Sequence, residues 1–160
     1  MNIKQIEEKT IVWSEERQII PNSTPDAQCE KLFEEFNETQ KAHNRGNRQE
    51  VLDGIGDITV VLVNVNKLLE GENIFALPGR IVDWEMPSNF IMPEIASQIS
   101  VIYSGAVRGN NYVQSSRVFS LLDSLAKEYG SSLEEAFLMA YDEIKDRKGK
   151  MDETGVFVKE

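Results

Sequence analysis

The chain has 160 residues, of which 41% are hydrophobic, and carries 27 acidic against 17 basic residues for a formal net charge of -10. This acidity excludes general nucleic-acid binding, which needs a basic surface to displace counterions from phosphate. The single cysteine excludes a disulfide framework, and no apolar run is long enough for a signal peptide or a membrane span. We expect a cytoplasmic protein without a membrane segment. It would form one domain over residues 1–160, with an N-terminal extension at 1–23 and a C-terminal tail at 151–160.

The first clear helix signal follows a polar, proline-containing stretch that ends at residue 25. Thr24 is a typical N-cap residue, and Pro25 suits the first helical position. These signals predict a helix from Asp26 to Asn44, followed by a short turn at residues 45–47.

The segment from Gln49 to Glu70 carries conflicting signals. The pair Asp53-Gly54 favours a hairpin, and the β-branched run at residues 58–63 favours a buried strand. Against this, apolar residues continue as far as Leu69 at helical spacing, and no partner strand is near in the sequence. We interpret the segment as a helix that is buried nearly all round.

The second half of the chain reads as a long loop followed by helices. Residues 71–89 contain two proline turns and predict the loop, after which Pro93 is expected to open a helix to about residue 107. A further helix is expected from Asn110 to Tyr129. Ser132 and Glu135 form the pattern of a capping box at the start of a last helix. A tail with a short extended piece at residues 156–158 ends an all-α chain.

Acidic side chains recur at helical spacing on two consecutive predicted helices. Because residues three, four or seven apart share a helix face, each helix presents a row of carboxylates. The two helices are joined by a short turn and are expected to pack antiparallel, so the rows converge. The first helix contributes Glu34, Glu35 and Glu38, and the second contributes Glu50, Asp53 and Asp57.

A site built from carboxylate oxygens suits Mg²⁺, with Mn²⁺ as the alternative. Zinc would require more than the one cysteine and the one histidine present, and a di-iron bundle would need Glu-x-x-His on two helices. The alternative interpretation is that both acidic faces are simply solvated.

Four basic residues lie within six positions near the C-terminus, which is unusual in so acidic a chain. They are compatible with a clamp for phosphate groups that faces the acidic site. They are equally compatible with a charged helix end that complements the helix dipole. The four are Lys145, Arg147, Lys148 and Lys150.

Taken together, these segments resemble the MazG-like nucleoside triphosphate pyrophosphatases, an all-α superfamily that also includes the dimeric dUTPases. The resemblance rests on QCEKLFEEFNE at 28–38 and EVLDGIGDI at 50–58, and on the phage-type phrases AYDEIKDRKGK at 140–150 and GVFVK at 155–159. It extends over nearly the whole chain. The family pattern is E-E-x-x-E, a spacer and E-x-x-D, which together bind Mg²⁺.

The resemblance implies a ligand set on the two helices. Glu35 and Glu38 match the first pair of ligands. For the second pair two registers remain open, since Glu50 and Asp53 fit E-x-x-D literally while a preceding glycine favours Asp57. In the second register Gly54 stands where the family has its glutamate.

The resemblance also implies a reaction, the hydrolysis of nucleoside triphosphates, deoxynucleotides first among them, to the monophosphate and pyrophosphate. Glu35 or Glu38 would combine metal binding with the role of general base. The other residues with an expected role contact the substrate. Lys145 and Lys148, with Arg147 as the competing candidate, would bind the phosphates, Trp13 or Trp84 would stack on the base, and Gln28 would touch the sugar or base.

Assembly and an alternative function complete the expectations. The sparse apolar stripe Leu32, Phe33 and Phe36 contrasts with the apolar helix after Gly56, and this mismatch, like the resemblance, predicts a homodimer or homotetramer. The alternative to an enzyme is a catalytically silent helical adaptor or nucleotide sensor. A strong rise in melting temperature with Mg²⁺ would favour a genuine metal site.

Overall fold

The computed structural model describes residues 1–153 and 157–160. Within these ranges the chain forms seven α-helices, one 3₁₀ turn at Ile74–Ala76 and one two-stranded ribbon. The described part is therefore all-α apart from the ribbon. The elements in chain order are α1 Ile3–Glu16, α2 Ile19–Asn22, α3 Pro25–Arg45, α4 Arg48–Leu68, α5 Ser88–Ala106, α6 Val118–Glu128, α7 Leu133–Ile144, β1 Gly149–Met151 and β2 Phe157–Lys159.

Helices α3 and α4 confirm the first predicted helix pair and the turn between them. The Thr24 side chain accepts a hydrogen bond from the Ala27 N–H, and Pro25 takes the first helical position. Gly46 ends α3 in the left-handed conformation at φ 65°, which glycine adopts without steric cost. The ambiguous segment is helical throughout, so the strand alternative for residues 58–63 is wrong.

Two predicted helix starts are wrong. Helix α5 begins at Ser88, five residues before Pro93, which lies inside the helix. Helix α6 begins at Val118 and not at Asn110. Asn111 instead anchors a loop, since its side-chain amide donates to Asn66 Oδ1 at 2.8 Å and its Oδ1 accepts from the Val113 N–H. Such a side-chain anchor competes with helix formation.

The predicted capping box of α7 is half formed. The Ser132 hydroxyl oxygen accepts from the Glu135 N–H at 3.2 Å, as expected of an N-cap. The Glu135 carboxylate accepts from the Ser131 hydroxyl at 2.7 Å instead of returning to the cap.

Helix α4 is the centre of the core, in contact with α1, α2, α3, α6 and α7. From Ile58 to Asn66 every residue of α4 is buried, as the apolar pattern on all faces predicts. The other large buried side chains come from the surrounding helices and include Ile6, Leu32, Ile95, Phe119 and Phe137.

The two ends of the chain are packed together. Helix α1 contacts α4 and α7, and it buries Ile6, Ile11 and Trp13. Strands β1 and β2 pair antiparallel, with Met151 opposite Phe157. Phe157 packs on Trp13 with 6.0 Å between the ring centroids. Of the predicted extended piece, residue 156 lies outside the described residues.

None of the helices in the described ranges combines the length and the apolar character that a bilayer crossing requires.

Candidate metal and phosphate site

The α3–α4 hairpin places two acidic helix faces side by side. Its two helices run antiparallel. They are in close contact at Gly54, where an added Cβ would lie only 2.0 Å from the Thr39 hydroxyl oxygen. Further along, the Asn64 amide donates to the Gln28 side chain at 3.3 Å. Between these two contacts Glu35 of α3 faces the turn of α4 that carries Asp57.

Glu35, Asp53 and Asp57 form an acidic cluster at this contact. Burial raises the pKa of Asp57 from its usual 3.8 to about 6, and repulsion by Glu35 and Asp53 adds to the effect. The charges of Arg147 and Lys31 oppose the shift without cancelling it. Burial, helped by the two neighbouring acids, therefore outweighs the two cations at Asp57.

Glu35 is the most enclosed member of the cluster, at 7% exposure. Its Oε1 lies 2.7 Å from the Lys31 ammonium, which also approaches the exposed Glu34 at 3.2 Å. Burial by itself would lower the pKa of Lys31, but the hydrogen bonds to Glu35 and Glu34 outweigh it and raise that pKa.

The other two predicted ligands lie outside this enclosure. Glu38 is exposed, one turn after Glu35 on α3. Glu50 is exposed in the first turn of α4, where its N–H donates to the Asn47 side chain. Across residues 1–153 and 157–160 no group of three His, Cys, Asp or Glu side chains is already arranged to hold a metal ion. Asp57 interacts electrostatically with Glu35 of α3 and with Asp53 of its own helix.

The basic segment after α7 approaches the same region through Arg147. Its charge acts on Asp57, and its guanidinium pairs with Glu143. Lys145 pairs with Asp142 at 2.8 Å, and hydrogen bonding to that carboxylate raises the pKa of Lys145. Lys148 is exposed, as is Lys150. Among the predicted phosphate-binding residues, Arg147 thereby acts on the acidic cluster.

Arg17 fixes this basic segment to α1, a contact that the sequence analysis missed. Its Nε donates to the Arg147 carbonyl at 2.9 Å, and its guanidinium lies 5.4 Å from the Trp13 ring centroid. Because these partners are 130 residues apart in sequence, no local pattern could have indicated the contact. Lys31 was also missed, although its spacing of three and four residues from Glu34 and Glu35 was a visible signal.

The predicted base- and sugar-binding residues have structural partners. Trp13 is buried and lines, with Tyr141 and Lys145, a cavity of about 290 Å³. Gln28 accepts from Asn64 and donates to the Ser23 hydroxyl at 3.1 Å.

Trp84 also has a partner. It lies in the loop before α5, where the Arg117 guanidinium stacks 4.4 Å from its ring centroid.

No family model matches the chain, and no characterised protein or solved structure is significantly similar to it.

Proposed function

We propose that the chain is a Mg²⁺-dependent pyrophosphohydrolase that cleaves nucleoside triphosphates, deoxynucleotides first among them, to the monophosphate and pyrophosphate. One observation carries the proposal. The α3–α4 contact buries Asp57 beside Glu35 and Asp53; burial first, and those two charges second, raise its pKa to about 6, with the charge of Arg147 acting on the same carboxylate. Three acids from two helices beside one arginine are what binding of a metal–polyphosphate complex requires.

The donor chemistry of the cluster fits Mg²⁺, or Mn²⁺ in its place. The three side chains offer only carboxylate oxygens, the hard ligands that both ions prefer. Burial and the two neighbouring acids disfavour the ionised form of Asp57, and a divalent cation would favour it. Glu35, Asp53 and Asp57 would hold the ion, and Glu38 would join them by a side-chain rotation from its exposed position one turn away.

Different residues of the chain would have different roles in the reaction. Bound Mg²⁺ supplies the positive charge that neutralises phosphate oxygens. Arg147 offers a planar, bidentate donor to the departing pyrophosphate. Glu38, exposed beside the cluster, is free to accept the proton of the attacking water. Lys145 and Lys148 flank Arg147 and would bind the outer phosphates.

A homodimer is part of this proposal, supported by the outer face of α5. This helix carries a single charged residue, Glu94, in a chain in which 28% of residues are charged. It exposes Phe90 at 53% and Val101 at 48%. Two such faces can meet with less electrostatic repulsion than more highly charged faces of a chain with net charge -10.

The proposal is tested with a panel of ribo- and deoxyribonucleoside triphosphates in Mg²⁺, with pyrophosphate and orthophosphate quantified separately. Glu38→Gln and Asp57→Asn are expected to lower the rate by about 100-fold or more, since each removes a charged group that acts on the reacting complex. Glu30→Gln is the matched control. Glu30 is exposed on α3, about 140° around the helix axis from Glu35, and its loss should leave the rate unchanged.

One result of this assay would reject the proposed activity. If the folded wild type in Mg²⁺ releases no pyrophosphate from any triphosphate, the proposed activity is wrong, and a silent adaptor or nucleotide sensor replaces it. Melting curves separate these two alternatives, because a sensor is stabilised by a nucleotide and Mg²⁺ while an adaptor is not.

A further inference from the structure

Arg17 follows α1 and reaches the backbone of the basic segment, residues 145–150. Its Nε donates to the Arg147 carbonyl at 2.9 Å, and its Nη2 lies 3.5 Å from the Lys145 carbonyl oxygen. Both carbonyls lie just beyond Ile144, the last residue of α7, where the helix no longer supplies backbone donors. One guanidinium thus contacts two carbonyls of the basic segment.

The charge of Arg17 suits this end of α7. The last turn of the helix, residues 141–144, contains no basic residue but carries Asp142 and Glu143. Acidic side chains add to the partial negative charge that a helix presents at its C-terminal end, and a cation there is stabilising. Arg17 therefore supplies from α1 the positive charge that the last turn of α7 lacks.

Arg17 is itself fixed by its neighbours on α1. Its guanidinium lies 5.4 Å from the ring centroid of Trp13, one helical turn earlier, and its Nη1 lies 2.9 Å from Glu16 Oε2. The Arg17 side chain is only 16% exposed, and Trp13 is buried. Because its orientation is restricted by these contacts, Arg17 can hold the carbonyls of the basic segment in one place.

We propose that Arg17 is a positioning residue, which holds the backbone of the basic segment so that Arg147, Lys145 and Lys148 meet a polyphosphate from a fixed place. Arg17 acts through the backbone and does not contact the phosphates. A basic segment that is free to move would have to be ordered when the phosphates bind, and this ordering would weaken binding. The inference rests on the phosphate-binding role that the proposed function gives to the basic segment.

The first test is limited digestion with trypsin, which cleaves after lysine and arginine and therefore within the basic segment. Arg17→Met is compared with Arg45→Met, an exposed change of equal charge in the last turn of α3. We expect cleavage at residues 145–150 to be about tenfold faster in Arg17→Met than in wild type, because a charge-assisted hydrogen bond no longer opposes local opening. Cleavage after Lys41, within α3, should not change, whereas a general loss of stability would accelerate both.

The second test is calorimetric titration with sodium pyrophosphate in the presence of MgCl₂. Arg17→Met should bind pyrophosphate about fivefold more weakly than wild type, as expected when a side chain must be ordered on binding. Arg45→Met should differ by less than about twofold. Arg17→Lys keeps the charge but lacks the planar guanidinium, and it should recover only part of the affinity. Full recovery would show that the charge alone supports binding and would overturn the positioning role.

The outcomes distinguish this inference from the proposed activity. Cleavage of the basic segment at the wild-type rate in Arg17→Met overturns the role of Arg17, even if the protein hydrolyses triphosphates. Unchanged pyrophosphate affinity, or no pyrophosphate binding by wild type, overturns it as well. Faster cleavage and weaker pyrophosphate binding in a protein that hydrolyses no triphosphate support the positioning role and reject only the proposed activity.

Discussion

The two halves of α4 lie in one helix but differ in burial and in the polar side chains that they carry. The first half carries Asp53 and Asp57 on a face that remains partly open, and the two glycines between them let neighbouring helices approach closely. The second half, from Ile58 to Asn66, is buried on every side. In it the only polar side chains are neutral and hydrogen-bonded.

Hydrogen bonds explain why the second half tolerates polar groups at all. The Thr59 hydroxyl donates to the Ile55 carbonyl at 2.8 Å, and Asn64 accepts from the Ser14 hydroxyl at 2.7 Å. Asn66 donates to the Glu72 carbonyl and accepts from Asn111. Carboxylates would carry a desolvation cost there that no neighbouring cation offsets. Charged residues of α4 thus lie in its first half and at Lys67 in its last turn, outside the fully buried stretch.

The largest expected effect comes from filling the space at Gly56. A Cβ there would lie 2.4 Å from the Ala136 carbonyl oxygen and 2.6 Å from Ala140 Cβ, both on α7. Because the nearest atom belongs to the backbone, Gly56→Ala must move α7 and is expected to destabilise the protein by about 3 kcal/mol or more. Urea denaturation followed by circular dichroism measures the loss.

Gly54 differs from Gly56 because the atoms nearest to it belong to a side chain. Its substituent would meet the Thr39 side chain, with Oγ1 at 2.0 Å, so Thr39→Ala removes the nearest clashing atom. Gly54→Ala should therefore regain part of its stability in combination with Thr39→Ala. For Gly56, a Gly56→Ala variant as stable as wild type would contradict the prediction that this glycine permits the close packing of α4 on α7.

A smaller effect is expected from Asn64→Ala in the buried half. The variant leaves the Ser14 hydroxyl without its acceptor and removes the hydrogen bond to Gln28. A loss of about 2 kcal/mol is expected, typical of a buried polar group that loses its partner. Ser14→Ala and the double variant complete a cycle, and a coupling energy near zero would contradict the contact.

The smallest expected effect is the pH dependence due to Asp57. Its pKa is raised from 3.8 in the unfolded chain to about 6 in the fold. Protons are therefore bound more tightly by the folded state. The stabilisation that this provides is full below pH 3.8 and disappears as the pH rises through 6. The difference between 6 and 3.8 corresponds to at most about 3 kcal/mol, and partial exposure reduces the expected effect to about 1 to 2 kcal/mol.

Asp57→Asn isolates this contribution. Without divalent metal, the variant should gain stability relative to wild type as the pH rises from 4 to 8, and with Mg²⁺ present the gain should shrink. Asp146→Asn, an exposed change of equal charge, should run parallel to wild type. Denaturation midpoints at three pH values suffice, and a constant difference between Asp57→Asn and wild type would contradict the raised pKa.

Part of the candidate site could be predicted because it depends on residues that are close together in the sequence. The spacing of Glu35 and Glu38, and of Asp53 and Asp57, determines which helix face each residue occupies. The short turn at Gly46 then brings the two faces together. The sequence pattern left the second ligand pair open between Glu50 and Asp57, since both fit a helical spacing from Asp53. Only the α3–α4 packing, set by the Gly54–Thr39 contact, places Asp57 opposite Glu35.

Other features were beyond any local pattern. Pro93 was expected to begin a helix because proline suits a first turn, yet the helix starts five residues earlier. Asn111 was expected inside a helix, but its contact with Asn66 holds that stretch as a loop. At Asn111 a contact with a distant residue thus outweighs a helix propensity of less than about 1 kcal/mol.

The amino-acid sequence by itself determined the helical class, the position of the α3–α4 hairpin and the all-round burial of α4. Hydrophobic periodicity, caps and turn residues act over a few positions and are legible without the fold. The tertiary structure decided that Asp57 meets Glu35, that the charge of Arg147 acts on Asp57 and that Lys31 pairs with Glu35. These depend on the distance between side chains on different elements, which the close contacts of Gly54 and Gly56 set and which no local pattern encodes.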